Sequence, residues 1–175
     1  DLDEAVQLAA LERLGQIGGT FSVPVLVKIA SENASGRQKV AAGSLTKICG
    51  PGADSAIAKQ AGEGDAAARA AAIEALAGRN DQGCLPALVK YAGEGDPAVS
   101  GAACAALGKL ATDNELEELA RLRLSGKAPG VEAALRAVAS RSRDKAAAAR
   151  KLIALARTVE AQQQAMLFEA LTILG

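Results

Sequence analysis

An apolar residue returns every 31 positions along this chain, and this repeat constrains the fold more than any other feature. The series runs through Leu14, Leu45, Leu76, Leu107 and Val138 in four equal steps. A repeat length of about 20 to 50 residues is typical of chains in which one small unit is stacked many times. The fold is therefore set by a single unit and by the way its copies pack on each other.

Each copy contains two stretches with helical spacing, separated by a polar turn. The stretch at 65–77 is DAAARAAAIEALA, and the stretch at 96–108, DPAVSGAACAALG, follows it after one period. Their apolar residues recur every three or four positions, which predicts amphipathic helices. A shorter second stretch carries its own apolar series at the same interval, namely Leu26, Ile57, Leu88 and Leu119. Each unit is therefore predicted to be a pair of antiparallel helices.

The period also predicts where the units begin and end. We place repeats at about 3–33, 34–64, 65–95, 96–126 and 127–159, with a partial unit at 160–175, all within one domain spanning 1–175. Asp65 and Asp96 are expected to cap the helices that follow them. In the fifth unit the series slips by two residues, and the loop Ser140–Asp144 is expected to hold them. A start without Met and an unfinished sixth unit suggest a fragment of a longer protein.

The first helix of the chain is expected to face inward through one apolar stripe. That stripe consists of Val6, Ala10, Leu14, Gly15 and Ile17. Because aromatic residues make up only 2% of the chain, aliphatic side chains and alanine must fill the core, and alanine has the highest helix propensity. The composition therefore predicts an all-α protein.

The pattern D-x-x-V-R-x-x-A-x-x-A-L-G resembles that of short bacterial HEAT-like repeats, and residues 65–77 follow it. The matching residues are Asp65, Arg69, Ala72, Ala75 and Leu76. The resemblance covers essentially the whole chain and implies a right-handed α-solenoid of about five and a half HEAT-like helix pairs, with the second helices lining a concave surface. It implies binding in most members and enzymatic activity in a few. Since Ser100 replaces the arginine one repeat later, an Asp–Arg ladder is expected only at Arg69.

Residues suited to catalysis or metal binding are scarce. The chain has no His, which excludes Ser-His-Asp and Cys-His catalysis and every His-based metal site. The acidic run of Asp113, Glu115, Glu117 and Glu118 is interpreted as helix-start charge, which the helix dipole favours. Cys49, Cys84 and Cys104 form no CxxC pair and are interpreted as small buried hydrophobes. We therefore predict no catalytic, cofactor-binding or metal-binding residue, and no enzyme.

A basic row follows the same interval on the second helices, at Lys28, Lys59, Lys90 and Arg121. Each member lies about 200° around its helix from a core residue, so the row should face solvent. One interpretation is that each Lys pairs with a Glu one turn later and serves solubility; the expected pairs are Lys28–Glu32, Lys59–Glu63 and Lys90–Glu94. The other is that the row binds a protein partner or an adjoining domain.

Charge is uneven along the chain although twenty basic and twenty acidic residues balance overall. Residues 121–157 contain ten basic and two acidic residues, which could contact nucleic acid as in the HEAT-like DNA glycosylases. Those enzymes use groove aromatics and a catalytic Asp, whereas Phe21, Tyr91 and Phe168 are isolated here. An acidic neighbour or a second copy, bound through the unfinished last repeat, explains the charge equally well.

These features together predict a non-catalytic protein–protein interaction scaffold that binds its partner on the concave face. The alternative is a nucleic-acid-binding or enzyme-associated module, DNA-glycosylase-like or lyase-like. No hydrophobic run approaches the length that crosses a bilayer, so no membrane partner is predicted. The sequence does not predict a compartment.

Overall fold

The computed structural model describes residues 2–32, 36–128 and 130–175. Helices form most of this part of the chain and it contains no strand, so the predicted all-α solenoid fold is confirmed. The chain divides into two compact units, Asp1–Cys84 and Leu85–Gly175. The predicted boundary between the first two repeats, at 33–34, lies outside the described residues.

The described residues of the first unit form five α-helices in two layers. They are α1 (Leu2–Ile17), α2 (Val23–Ala30), α3 (Gly36–Lys47), α4 (Ala53–Gly62) and α5 (Ala66–Gly78). The first helices of the repeats, α1, α3 and α5, pack in series, and the second helices α2 and α4 pack beside each other. Three-residue 3₁₀ turns at Thr20–Ser22 and Gln82–Cys84 precede second helices, where the sequence predicts turns.

In the second unit, the part of the chain that the structure describes repeats this arrangement with six α-helices. They are α6 (Leu85–Ala92), α7 (Pro97–Leu110), α8 (Leu116–Ser125), α9 (Val131–Arg141), α10 (Lys145–Ala156) and α11 (Ala161–Leu174). Helices α7, α9 and α11 form one layer, and α6, α8 and α10 form the other. Each second helix also packs on the first helix that follows it, which encloses the core between the layers.

The two apolar series found in the sequence form the core. Leu45, Leu76, Leu107 and Val138 are buried on the first helices, and all four members of the second-helix series are fully buried. Leu14, the earliest member, is half-buried on α1. The 31-residue interval therefore identifies core positions correctly in both layers.

The inward stripe predicted for α1 is correct only in part: Gly15 is buried and Leu14 is half-buried, but Val6, Ala10 and Ile17 are exposed. Val6 and Ile17 are 64% and 82% exposed, whereas Leu11 is only 5% exposed. Helix α1 packs on α3, and Leu11 and Gly15 lie at this contact. The hydroxyl of Ser44 on α3 donates to the Leu11 carbonyl at 2.9 Å, which fixes this rotation of α1. Val6 and Ile17 lie about 120–140° around the helix and remain in solvent.

The aspartates at the joins cap the following helices, as the sequence predicts. The Asp65 carboxylate accepts a hydrogen bond of 2.8 Å from the Ala68 amide at the start of α5. The Asp96 carboxylate accepts from the amides of Ala98 and Val99 at 2.9 and 3.2 Å. Such caps satisfy donors that the helix itself leaves without partners.

At the arginine position of the repeat pattern, arginine and serine make the same kind of hydrogen bond between helices. The Nε of Arg69 donates to the carbonyl of Ala61, in the last turn of α4, at 2.9 Å. One period later, the buried hydroxyl of Ser100 donates to the carbonyl of Ala92, the last residue of α6, at 2.7 Å. Both bonds tie the start of a first helix to the end of the preceding second helix, so the loss of the arginine does not remove the connection.

Two arginines, two periods apart, bind the ends of neighbouring first helices. Arg79, which caps the C-terminus of α5, donates through Nη1 to the carbonyls of Leu45 and Ile48 at 3.2 and 2.7 Å. Its Nε binds the carboxylate of Asp54. Arg141 contacts carbonyls at the end of α7 at 3.3 and 3.4 Å. Arg79 and Arg141 occupy the same position of the repeat, and this was the sequence signal for their shared contact with the end of the preceding first helix.

The two extra residues of the fifth repeat do not lie in the loop that was expected to hold them. Only Ser142–Asp144 separate α9 from α10. Helix α10 begins at Lys145, about one turn earlier than the position equivalent to the start of α8 one repeat before. The Asp144 carboxylate caps α10 by accepting a hydrogen bond from the Ala147 amide at 2.8 Å. The insertion is absorbed as helix because the alanine run at 146–149 favours it.

Candidate functional site

The basic row begins in the first unit with two exposed lysines. Lys28 lies on α2 and Lys59 on α4, each two residues after a fully buried side chain, Leu26 or Ile57. Two residues correspond to about 200° on a helix, so the lysines point away from the core as predicted. Because α2 and α4 pack beside each other, Lys28 and Lys59 lie on neighbouring helices of one face.

The second unit carries the other two members of the row. Lys90 on α6 and Arg121 on α8 are exposed, and these helices also contact each other. The guanidinium of Arg121 donates to the carboxylate of Glu117, one turn earlier, at 2.7 and 3.3 Å. The row is therefore solvent-facing in both units, and in each unit it lies on two adjacent second helices.

The Lys–Glu pairs expected for solubility do not form at the first two positions. Within the described residues, neither Lys28 nor Lys59 makes a side-chain hydrogen bond or an ion pair. The carboxylate of Glu32 lies instead 3.8 Å from the guanidinium of Arg37 at the start of α3. Two lysine ammonium groups on the first unit are thus available to an external partner.

On α10 the position that continues the basic row is occupied by alanine. The period, with its two-residue slip, leads from Arg121 to the exposed Ala154. Arg150 and Arg157 lie one turn on either side of Ala154 and are also exposed. The sequence analysis counted both arginines in the basic surplus but did not assign them to this face. Arg150 and Arg157 are seven residues apart, and this spacing alone could have predicted that both lie on one side of the helix.

Most of the basic surplus at 121–157 is used inside the second unit. Six of the ten residues bind carboxylates or carbonyls there: Arg121, Arg123, Arg136, Arg141, Lys145 and Lys151. In the described part of the chain, Lys127, Arg143, Arg150 and Arg157 are exposed and their side chains form no hydrogen bond or ion pair. The charge available for binding is therefore concentrated around α10.

A shallow depression lies between α8 and the end of α10. It measures about 400 Å³, and its lining includes Arg121 and Leu124 of α8 together with Leu155 and Val159. Ser125, Thr158 and Gln163 complete the lining, so the depression presents one cation among apolar and polar side chains.

The acidic run at the start of α8 is engaged in local contacts. The carboxylate of Glu115 accepts from the backbone amide and hydroxyl of Thr112 at 2.8 and 2.9 Å. Glu117 pairs with Arg121, and Asp113 accepts from the hydroxyl of Ser142 at 3.0 Å. Among the residues that the structure describes, no three His, Cys, Asp or Glu side chains are grouped to hold a metal ion.

The cysteines differ in exposure. Cys84 and Cys104 are buried as predicted, and burial raises the pKa of the Cys84 thiol to about 11 and also raises the pKa of Cys104. Cys49 is exposed, so its assignment to the core is wrong. It lies in the turn after α3, one residue beyond the buried Ile48, where the chain has left the core.

Comparison with known proteins identifies the repeat family. Residues 53–139 match the family described as HEAT repeats, which confirms the resemblance seen in the sequence. No curated protein matches the chain. In the described segments, no helix is both long enough and apolar enough to cross a membrane.

A solved structure with a similar fold comes from a lyase complex. It is "the structure of the complex of CpcE and CpcF of phycocyanin lyase from Nostoc sp. PCC7120", and the similar chain is 20% identical to this one, with a TM-score of 0.58. The superposition covers 87% of this chain and 99% of that chain. At this identity the likeness concerns the fold.

Proposed function

Because this chain carries HEAT repeats, we propose that it is a non-catalytic scaffold that binds a protein partner through the solvent faces of its second helices. In HEAT-like proteins the second helices are expected to line the concave side, where such proteins commonly bind, and this expectation supports the proposal. The proposed contacts are the members of the basic row, Lys28 and Lys59 in the first unit and Lys90 and Arg121 in the second.

The observation that carries the proposal is the state of Lys28 and Lys59. If the row served only solubility, each lysine would pair with the glutamate one turn later. In the described residues these two lysines instead leave their charges uncompensated, on adjacent helices. An acidic protein surface would supply the missing carboxylates and would be attracted at long range.

The buried thiols support a role without catalysis. At neutral pH a thiol whose pKa lies at about 11 is protonated, so Cys84 is a poor nucleophile. The chain has no His that could act as a general base beside it. Two carboxylates near α8 already accept hydrogen bonds, Glu115 from Thr112 in its own loop and Asp113 from Ser142 in the link between α9 and α10.

Affinity capture with charge-reversed variants tests the proposal. The chain is used as bait, and captured proteins are quantified by mass spectrometry for the wild type and for Lys59→Glu/Lys90→Glu. Partners of the row should be depleted at least fivefold in the variant, while its melting temperature stays within about 2 °C because both side chains are exposed.

Lys39→Glu/Lys109→Glu is the matched control. These lysines are exposed on α3 and α7, one in each unit, and their reversal changes the net charge by the same amount. The control should retain the partners. Equal capture by both double variants would reject the row as the binding surface.

A subunit of an enzyme complex is a second candidate. It is favoured by the likeness to a chain from the CpcE–CpcF complex, in which two proteins assemble. This candidate predicts a stable one-to-one complex when the chain is co-expressed with the products of neighbouring genes. Light scattering after size-exclusion chromatography measures the complex, and an unassociated chain in every pairing would reject the candidate.

A further inference from the structure

One side of α10 carries an exposed heptad pattern, which we call the α10 seam. It consists of Ala146, Arg150, Ile153 and Arg157. All four are exposed, and Ile153 is 41% exposed although it is a large aliphatic side chain. Their separations alternate between three and four residues, the spacing of positions that meet a partner helix in a coiled coil.

The seam faces away from the core of the second unit. Arg150 lies two residues before the fully buried Leu152, and hence about 200° around the helix from it. Arg150 and Arg157 are separated by seven residues, or about 10.5 Å along the helix axis.

The arginines of the seam are not copies of earlier repeats. Arg150 and Arg157 correspond to Glu117 and Leu124 in the preceding unit, after allowance for the two-residue slip. Duplication of a surface pattern therefore does not explain them. They are a property of this helix alone.

Nearby carboxylates leave the seam uncompensated. Asp144 caps α10, and Glu169 binds Arg136. Glu160 follows Arg157 by three residues, but in the described residues the two form no ion pair. Among the described residues of the second unit, the arginines of the seam therefore have no partner of opposite charge.

We propose that the α10 seam docks an acidic amphipathic helix of a protein partner. Carboxylates two turns apart on that helix would face Arg150 and Arg157, and an apolar side chain between them would cover Ile153. The proposal rests on the protein-binding function proposed above and names the class of partner. Ile153 between the two arginines and Ala146 one turn before Arg150 favour a helix over nucleic acid, which would find no aromatic residue on the seam for base stacking.

A designed peptide provides the probe. It is a fluorescein-labelled three-heptad helix with Glu at the first and Leu at the fourth position of each heptad, and Ala and Gln elsewhere. Fluorescence anisotropy measures its binding to the full chain at low and moderate salt. Reversal of both arginines in Arg150→Glu/Arg157→Glu should weaken binding about tenfold or more, since two attractive pairs become repulsive.

Three controls keep the result interpretable. Lys109→Glu/Lys127→Glu makes the same charge change elsewhere in the second unit and should bind like the wild type. Arg150→Gln/Arg157→Gln removes the two positive charges without adding negative ones, and its loss of peptide affinity should lie between those of the wild type and the charge-reversed variant. A scrambled peptide of equal composition should bind at least tenfold more weakly, because it lacks the heptad.

Several outcomes would overturn the proposal. These are no peptide binding to the wild type at millimolar concentration, equal binding of the scrambled peptide, and equal loss in the lysine control. Tighter binding of a single-stranded DNA oligonucleotide that is lost in the same arginine variant would assign the seam to nucleic acid instead. Capture that still depends on Lys59 and Lys90 would leave the scaffold function intact, so the two failures are distinguishable.

Discussion

The contact of Arg79 with the end of α3 allows a quantitative test of how adjacent repeats are joined. In Arg79→Ala the carbonyls of Leu45 and Ile48 lose a charged donor, and Asp54 loses its cation. The Arg79 side chain is only 15% exposed, so solvent can replace these bonds only in part. We expect the variant to destabilise the first unit.

The magnitude follows from three contributions. A hydrogen bond from a charged donor contributes about 1.5–3 kcal/mol. A cation at a helix C-terminus adds about 0.3–1 kcal/mol. The ion pair adds at most about 1 kcal/mol, because Asp54 is more than half exposed. Since one guanidinium makes all these contacts, the terms overlap, and we expect a total loss of about 2–4 kcal/mol.

Urea unfolding followed by circular dichroism at 222 nm measures the loss. Arg79→Lys should recover only about half of it, because an ammonium cannot reach the carbonyls and Asp54 together. Arg141→Ala is the matched control, since its bonds are longer and its side chain is exposed, and it should cost about 1 kcal/mol or less. A loss below about 0.5 kcal/mol in Arg79→Ala, or an equal loss in the control, would refute the reasoning.

Three further predictions concern packing, a buried hydroxyl and pH. Gly15→Ala should lower the free energy of unfolding in urea by more than about 1 kcal/mol, because the added Cβ would lie 2.7 Å from the Cβ of Ser44. The control Gly43→Ala adds a Cβ that meets nothing within 4 Å, and it should raise this free energy by up to about 1 kcal/mol. Ser100→Ala should cost about 1–2 kcal/mol by the same measurement, and an unchanged urea midpoint would contradict the role of its bond. Burial raises the pKa of the Cys84 thiol from 9.0 to about 11, so the stability that the protonated thiol contributes is complete below about pH 9 and is lost as the pH rises toward 11. The urea midpoint should therefore fall less steeply with pH over this range in Cys84→Ala than in the wild type, and the same slope in both would contradict the prediction.

The core of each helix pair could be predicted from sequence because it depends on local periodicity. Leu76 and Leu107 recur at a fixed interval and Asp96 caps the next helix, and these features need only the geometry of a single helix. The rotation of α1 could not be predicted in this way. Both Leu11 and Ile17 suit an inward face, and only the contact with α3 selects Leu11.

The candidate site was predicted in part for a similar reason. Exposure of Lys28 and Lys59 follows from their angle to the core residues, so the sequence located them. Whether a lysine pairs with a nearby glutamate depends on which cations compete for that carboxylate. Arg37 approaches Glu32 from the next helix, a contact between residues that no helical spacing relates.

The sequence alone determined the repeat, the two helices in each copy and the buried series, because a 31-residue period repeats the same local rules of helix formation and burial at every step. Tertiary structure decided the rotation of α1 and the bonds that Arg79 makes across repeats. These features depend on which helices become neighbours and on how closely they pack. A pattern along one helix contains no information about the atoms that a neighbouring helix brings against it.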